Sequence, residues 1–316
     1  MKNSPASTPG GSLSILVLSG GGSAEREISL ESGRAVAEAL LRRGHAVRLH
    51  DPACTPMSGL ADIDVILPLL HGTGGEDGAL QSELERLRIP WLGSSAAASA
   101  LTFSKSATRR KLGEAGLPTA DGFTACAGAD QRVIALQAEA IGLPLVVKPS
   151  EQGSSIGITI VSDMKDFPEA LATAYRWGSE VIVERWIPGR EITVPVIEGE
   201  LFPAVEILPG RPWYDYEAKY RDEQTRYVTN PASLPAGLLE AVQRAVATCG
   251  VSAISRTDLR LTADGCFYIL EINTIPGMTS HSLVPMSIGA AGREVGEVLE
   301  ALLWRRVCAV RSGAAA

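Results

Sequence analysis

Hydrophobic and polar positions alternate along Ser255-Arg256-Thr257-Asp258-Leu259-Arg260-Leu261 and along Cys266-Phe267-Tyr268-Ile269-Leu270-Glu271-Ile272-Asn273. A period of two predicts two strands. The intervening Thr262-Ala263-Asp264-Gly265 is a strong hairpin signal, because Asp-Gly tolerates the backbone of a tight connection. With an even-numbered loop, Arg256 and Asp258 share a face with Glu271 and Asn273, since cross-strand partners point the same way. Thr274-Ile275-Pro276-Gly277 then ends the second strand and offers backbone N–H groups beside the carboxylates.

Earlier in the chain, 13–18 is a short apolar strand ending in Ser19-Gly20-Gly21-Gly22-Ser23, 24–43 reads as a helix, and 46–50 and 65–70 read as strands. This β-α-β order predicts a parallel sheet. A helix at 81–87, a strand at 89–93 and an Ala/Ser-rich segment lead to a boundary near Ala100. A helix over 103–115 carries Lys105 and stops at Gly116-Leu117-Pro118. An apolar strand at 143–149 contains Lys148, and a Gly/Ser loop joins it to a strand at 158–161. Strands at 181–187 and 192–196 flank Pro188-Gly189-Arg190-Glu191. The aromatic and charged stretch 213–226 has no period and reads as a lid loop. Helices are expected at 238–249 and 290–307. The chain is therefore α/β, with α+β parts, divided into a disordered tail at 1–12 and units at 13–100, 101–188 and 189–316.

Composition narrows the class. A length of 316 residues exceeds the usual size of one core, so two or three domains are expected. A net charge of −7 argues against a general nucleic-acid surface. Five cysteines, odd in number and without C-x-x-C spacing, fit reduced thiols in a cytoplasmic protein and no zinc site. No apolar run reaches a membrane-spanning length, and the first residues lack the apolar core of a signal peptide.

Carboxylates gathered on one face repel one another unless a cation sits between them. Oxygen-only ligands suit Mg2+ or Mn2+, which leave positions for water and phosphate. The bland alternative is a solvated polar face on an edge hairpin, and the strand-ending Thr274 to Gly277 run favours the metal. The turn at Gly20 lacks the G-x-G-x-x-G spacing, and Asp51 only weakly matches the acidic residue of a dinucleotide site. Glu25 stands where open α/β sheets bind ligands, or is simply an acid favoured by a helix N-terminus. His71 opens the glycine-rich His71-Gly72-Thr73-Gly74-Gly75-Glu76-Asp77-Gly78, although a lone histidine is more often structural. Glu151-Gln152-Gly153-Ser154-Ser155-Ile156-Gly157 links two strands rather than a strand and a helix, so it is no P-loop. It can still fold over phosphates as a flap using backbone and hydroxyl donors, and Lys105 and Lys148 favour that over an idle hairpin.

Five stretches together carry a resemblance. Gly21-Gly22-Ser23-Ala24-Glu25-Arg26-Glu27, His71-Gly72 with Gly75-Glu76-Asp77-Gly78, Lys148-Pro149 with Gly153-Ser154-Ser155-Ile156-Gly157, the 214–220 segment, and Glu271-Ile272-Asn273-Thr274-Ile275-Pro276-Gly277-Met278-Thr279-Ser280-His281-Ser282-Leu283-Val284-Pro285 resemble those of the D-alanine-D-alanine ligases, in family order. The resemblance implies the ATP-grasp fold, with an N-terminal Rossmann-like domain and ATP between the central and C-terminal domains. It implies ligation of two D-alanines through a D-alanyl phosphate for peptidoglycan precursor synthesis, in a homodimer. By the same resemblance Lys105, Lys148, Ser155 and Lys219 meet phosphates, and Glu184, Trp186, Ile187 and Glu191 hold adenine and ribose. Asp258, Glu271 and Asn273 would hold two Mg2+ or Mn2+ ions. Glu25 would take the ammonium of the first D-alanine, with His71 beside the substrate and Ser282 and Leu283 at the second carboxylate. Ser154, Tyr220 and Glu25 would tie flap and lid to the N-terminal domain, and Arg256 with the Gly277 N–H would stabilise the oxyanion.

The sequence departs from the family at two places. Phe103-Ser104-Lys105 stands where the family usually has Met-Asp-Lys, and Leu259 where a Phe commonly follows the Asp. Neither removes a ligand; the first bears on how the Lys105 helix is anchored, the second on how the metal strand packs. A D-alanyl-D-lactate ligase is the close alternative, against which Tyr220 argues. A non-catalytic nucleotide-binding module is the distant one, against which intact Arg256, Asp258, Glu271 and Asn273 argue.

Overall fold

The computed structural model of the protein describes residues 11–211, 222 and 224–313. In the first sheet β1 (Ser14–Leu18) lies between β2 (Ala46–His50) and β3 (Val65–Pro68) and runs parallel to both. A central parallel strand is covered on both faces, which is why Ile15, Leu16, Val17 and Leu18 are all buried. The crossover from β1 to β2 is α1 (Arg26–Arg42). The strand expected at 89–93 is reduced to a single parallel bridge between Ile66 and Trp91. Pro90 can accept from the Ile66 N–H but has no N–H of its own to continue the ladder. After α2 (Ala79–Arg86), the Ala/Ser-rich segment forms α3 (Ala96–Phe103), capped by Ser95.

The helix expected over 103–115 begins at Lys105, as α4 (Lys105–Glu114). Ser104 separates it from α3 by leaving the helical conformation and accepting the Ala107 N–H, the usual act of an N-cap. The second sheet has the order β4 (Gly122–Cys126), β7 (Glu180–Arg185), β5 (Leu145–Pro149), β6 (Thr159–Val161), all antiparallel. Helices α5 (Gln131–Ile141) and α6 (Phe167–Tyr175) pack on it. The pairing of β5 with β6 makes the Gly/Ser segment a hairpin loop, as expected.

The third sheet runs β11 (Arg226–Thr229), β10 (Val205–Leu208), β8 (Arg190–Ile197), β12 (Ile254–Leu261), β13 (Phe267–Asn273), with the short β9 (Glu200–Leu201) beside β8. It is covered by α7 (Leu238–Thr248), whose buried Leu238, Ala241, Val242, Ala245 and Val246 fall at helical spacing on one face. Leu259 is fully buried in this core, so the departure there packs as an aliphatic side chain. The closing helix expected over 290–307 begins later, as α9 (Val295–Arg311), and a separate helix, α8 (Leu283–Ala290), precedes it; the chain turns between them at Gly292, which adopts a positive φ. Leu299, Leu303 and Val307 of α9 pack against Ile15, Val17 and Val65 of the first sheet.

Candidate active site

Two cavities adjoin the hairpin of β12 and β13. The smaller, about 110 Å³, lies between the second and third sheets and is lined by Lys148, Ser155, Glu184, Trp186, Ile187, Glu191, Asp258, Arg260 and Leu270. The larger, about 260 Å³, opens toward the first sheet and is lined by Glu25, His71, Glu76, Ser154, Arg256, Asn273, Gly277, Ser282 and Leu283. Lys105, Gln152 and Glu271 line both.

The hairpin differs from expectation in its connection. Leu261 pairs with Phe267, so residues 262–266 make an odd, five-residue loop, and a bulge follows between Asp258 and Leu259. The bulge restores the shared face: Arg256 is opposite Asn273 and Asp258 is opposite Glu271. Cations already sit on these carboxylates. Arg256 grips Asp258 through Nε at 2.8 Å and Nη2 at 2.7 Å, and the Thr193 hydroxyl donates to the same carboxylate at 2.6 Å. Lys105 Nζ is 3.0 Å from Glu271 Oε2 and donates to the Gln152 carbonyl at 2.6 Å. Among the backbone donors expected beside the carboxylates, the Ile275 N–H is taken by Asn273 Oδ1 at 2.9 Å.

Among the described residues no group of three or more His, Cys, Asp or Glu side chains could hold a metal ion. Two facing carboxylates and an adjoining amide oxygen nevertheless fit a hard cation that completes its shell with phosphate and water. The donor set suits Mg2+ or Mn2+, with Arg256 and Lys105 supplying compensating charge in the arrangement seen.

Lys105 is held from behind by hydroxyl groups. The Lys105 N–H donates to the Ser150 carbonyl at 3.0 Å, the Ser106 N–H to Ser150 Oγ at 3.2 Å, and the Ser106 hydroxyl to Glu180 at 2.7 Å. Lys148 projects from β5 onto Glu184 at 2.6 Å, and Arg109 approaches the other oxygen of Glu184 at 3.7 Å. Glu184 thus answers two cations at the cavity wall.

On the other side, Glu25 occupies the N-cap position of α1 and receives the Ser154 hydroxyl from the flap. Ser154 and Ser155 both have positive φ, about 50° and 60°, a strained pair that turns the flap toward α1. A Cβ at Gly153 would lie 2.5 Å from Glu25 Oε2, so any larger residue there would push the Glu25 carboxylate out of its place beside the flap. The glycine turn after β1 is clasped by Asp51, which accepts the Gly21 N–H at 3.0 Å and meets Arg26 at 2.6 Å. That clasp accounts for Asp51 without any ribose. Burial alone would push the Asp51 carboxyl up, but the Arg26 hydrogen bond and the Gly21 and Ala53 N–H groups outweigh it and hold it well below the usual range.

His71 is buried against Glu76, Nδ1 to Oε1 3.4 Å, with Nε2 unpartnered among the described residues. Burial pushes the Glu76 carboxyl up, more than the His71 hydrogen bond pulls it down. Gly277 lies close over Ser282, whose Oγ would be 2.8 Å from an added Cβ and accepts the Thr279 N–H at 3.0 Å. Lys219 and Tyr220 lie outside the described residues, as do 1–10 and most of the expected lid.

Arg260 is a site residue that the motifs do not mark. It lies over the Trp186 ring at 4.5 Å, donates to the Ile187 carbonyl at 3.1 Å and meets Glu191 at 3.2 Å. Its signal was the strand period itself, which puts residues 256, 258 and 260 on one polar face. The burial of Glu76 had no local signal, since its loop reads as polar and glycine-rich.

Comparison with known proteins follows the same lines. Residues 113–304 match the family described as D-ala D-ala ligase C-terminus. The D-alanine–D-alanine ligase of Alkalilimnicola ehrlichii is 42% identical over 299 residues, covering 92% of each chain. That of Mannheimia succiniciproducens is 39% identical over 296 residues, covering 92% of this chain and 96% of its own. The crystal structure of D-alanine–D-alanine ligase from Bacillus anthracis complexed with ATP superposes with a TM-score of 0.81 at 32% identity, covering 96% of this chain and 99% of that one.

Proposed function

This chain belongs to the D-alanine–D-alanine ligase family and is an ATP-dependent ligase of the ATP-grasp fold, and from that premise we propose how its own residues join two D-alanines. The observation that carries the reading is the junction of the two cavities at Lys105, Gln152 and Glu271. A nucleotide in the smaller cavity would bring its γ-phosphate to that junction, against an amino-acid carboxylate in the larger.

The base and ribose would lie against Trp186, Ile187, Glu184 and Glu191, with Lys105, Lys148, Ser155 and Lys219 on the phosphates. Asp258, Glu271 and Asn273 would hold two Mg2+ or Mn2+ ions. Such ions add positive charge beside the phosphate oxygens. Glu25 would bind the ammonium of the first D-alanine, with His71 nearby, and so aim its carboxylate at the junction. That carboxylate attacks the γ-phosphorus, the bond to the bridging oxygen breaks, and ADP leaves. Phosphoryl transfer of this kind needs alignment and charge neutralisation more than covalent help, which suits Lys105 and Lys148, held by the Gln152 carbonyl and by Glu184.

The second D-alanine, held through its carboxylate by Ser282 and Leu283, attacks the acyl carbon with its neutral amine. Arg256 and the Gly277 N–H would receive the oxyanion, and inorganic phosphate leaves as the intermediate collapses. Closure of the 213–226 segment, with Tyr220 joining Ser154 and Glu25, would keep water from the acyl phosphate. The product serves peptidoglycan precursor synthesis.

We take residues 13–100, 101–188 and 189–316 as the three domains. The protein is proposed to act in the cytoplasm as a homodimer; among the described residues no helix is long and apolar enough to cross a membrane. The test is a panel of D-amino and D-hydroxy acids with ATP, following ADP, phosphate and the joined product by chromatography. Dipeptide from D-alanine is the expected result. Ester from D-lactate as the main product, or ADP release with neither, would overturn the reading.

A further inference from the structure

Arg260 occupies the part of the smaller cavity that the reading above gives to the base, and the inference drawn from it rests on that reading. It stands on β12 directly opposite Glu191 of β8, and only 10% of its side chain is exposed. Its guanidinium meets the Trp186 ring, the Ile187 carbonyl and the Glu191 carboxylate. These are three of the groups assigned to adenine and ribose.

A backbone carbonyl at the edge of a purine pocket accepts from an exocyclic amine and therefore favours adenine. Here the Arg260 Nε–H already donates to that carbonyl, which brings a row of donors to an edge that would otherwise present an acceptor. Guanidinium has five N–H donors in a rigid plane, and among the described residues Nη2 has no hydrogen-bond partner. An N–H of Nη2 beside the second N–H of Nη1 makes a planar pair of donors that matches the O6 and N7 acceptors of a 6-oxopurine, the geometry by which arginine reads guanine. We propose that Arg260 lets the cavity take 6-oxopurine nucleoside triphosphates, inosine and guanosine, as phosphoryl donors alongside ATP.

The chemistry is unchanged by the base. The D-alanine carboxylate oxygen bonds to the γ-phosphorus, the β–γ bridging bond breaks, and the 6-oxopurine nucleoside diphosphate leaves. The amine of the second D-alanine then bonds to the acyl carbon, phosphate departs, and the amine proton passes to solvent.

The experiment compares kcat/KM for ATP, ITP and GTP with D-alanine, scored by dipeptide so that the readout does not depend on the base. ITP isolates O6 and N7, because it lacks the 2-amino group. In the unmodified protein ITP should reach within about 30-fold of ATP, since one well-placed pair of donors shifts base choice by roughly 10- to 100-fold. Arg260→Lys keeps a charge beside Glu191 but loses the planar fork, and should lower the ITP to ATP ratio about 10-fold or more. Arg260→Met should lower it at least as far, and if that variant does not fold, Arg260→Lys decides. A ratio unchanged in Arg260→Lys, or ITP used less than about a thousandth as well as ATP by the unmodified protein, overturns the proposal. Absence of dipeptide with every triphosphate would overturn the ligase reading instead. Calorimetric titration with IDP and ADP would then still judge Arg260 by the same ratio.

Discussion

Asp258 lies directly across from Glu271, and the two meet because Leu270 is an extra residue in its strand. Leu259 pairs with Ile269, so an unbroken ladder would set Asp258 against Leu270 and turn Glu271 to the other face. The bulge corrects the odd loop and leaves both Leu270 and Glu271 at the smaller cavity. Bulges commonly re-aim a side chain beside an active site, and this one pairs the carboxylates.

Glu271→Gln should therefore leave the fold intact and cut ADP formation by about 100-fold or more, since an amide pulls weakly on a divalent ion and on Lys105. Melting temperature and turnover, measured side by side, should separate. Normal turnover of the variant with Mg2+ would remove Glu271 from the metal site.

Glu25 meets the flap through Ser154 and lines only the larger cavity. Replacing it with Ala should weaken D-alanine by about 100-fold, the scale of a lost charged hydrogen bond, ~1.5–3 kcal/mol. Binding of an ATP analogue should change by no more than about threefold, a shift under ~1 kcal/mol. Calorimetric titration with each ligand is the check, and equal losses for both would mean general damage.

Ser150 is buried and connects β5 to the first turn of α4, which carries Lys105. Ser150→Ala leaves the Ser106 N–H without its acceptor, at a cost of about 1–3 kcal/mol in stability. It should also raise the KM for ATP several-fold while leaving that for D-alanine nearly unchanged, because Lys105 loses its support on the phosphate side. Ser150→Thr, which keeps the hydroxyl, should restore the KM for ATP; equal changes in both KM values would refute the positioning role.

The Asp51 clasp predicts a pH dependence with a definite sign. Its carboxyl is held below the unfolded value, so its contribution is fully present above about pH 4 and is lost as pH falls toward the lower folded value. Asp51→Asn should lower the melting temperature near pH 7 and flatten the fall in melting temperature between pH 4 and 2. Parallel curves for the two proteins across that window would count against the clasp.

Alternation and turn chemistry act between neighbours in the chain, and so the strands at Ser14–Leu18 and Ile254–Leu261, the 192–196 part of Arg190–Ile197, the flap after Lys148 and the polar face through residues 256 and 258 were legible in the sequence, whereas Arg190 and Glu191 read as a connection. The order of motifs, from the glycine turn to Ser282, was legible for the same reason, each being a local cluster. Other features depended on groups distant in the chain. Ser104 breaks a helical run because its hydroxyl can cap α4 against a helix that also grips Ser150. Lys105 reaches Glu271, Arg26 reaches Asp51, and Arg260 settles on Glu191, Ile187 and Trp186 only once segments distant in the chain have been brought together. Burial is likewise a property of the assembled chain, so the raised Glu76 carboxyl against His71 is invisible in a polar loop. The bulge at Leu270 shows the division most plainly. The residues that alternate are written in sequence, while the register that sets Asp258 against Glu271 is chosen by the packing of β12 between β8 and β13.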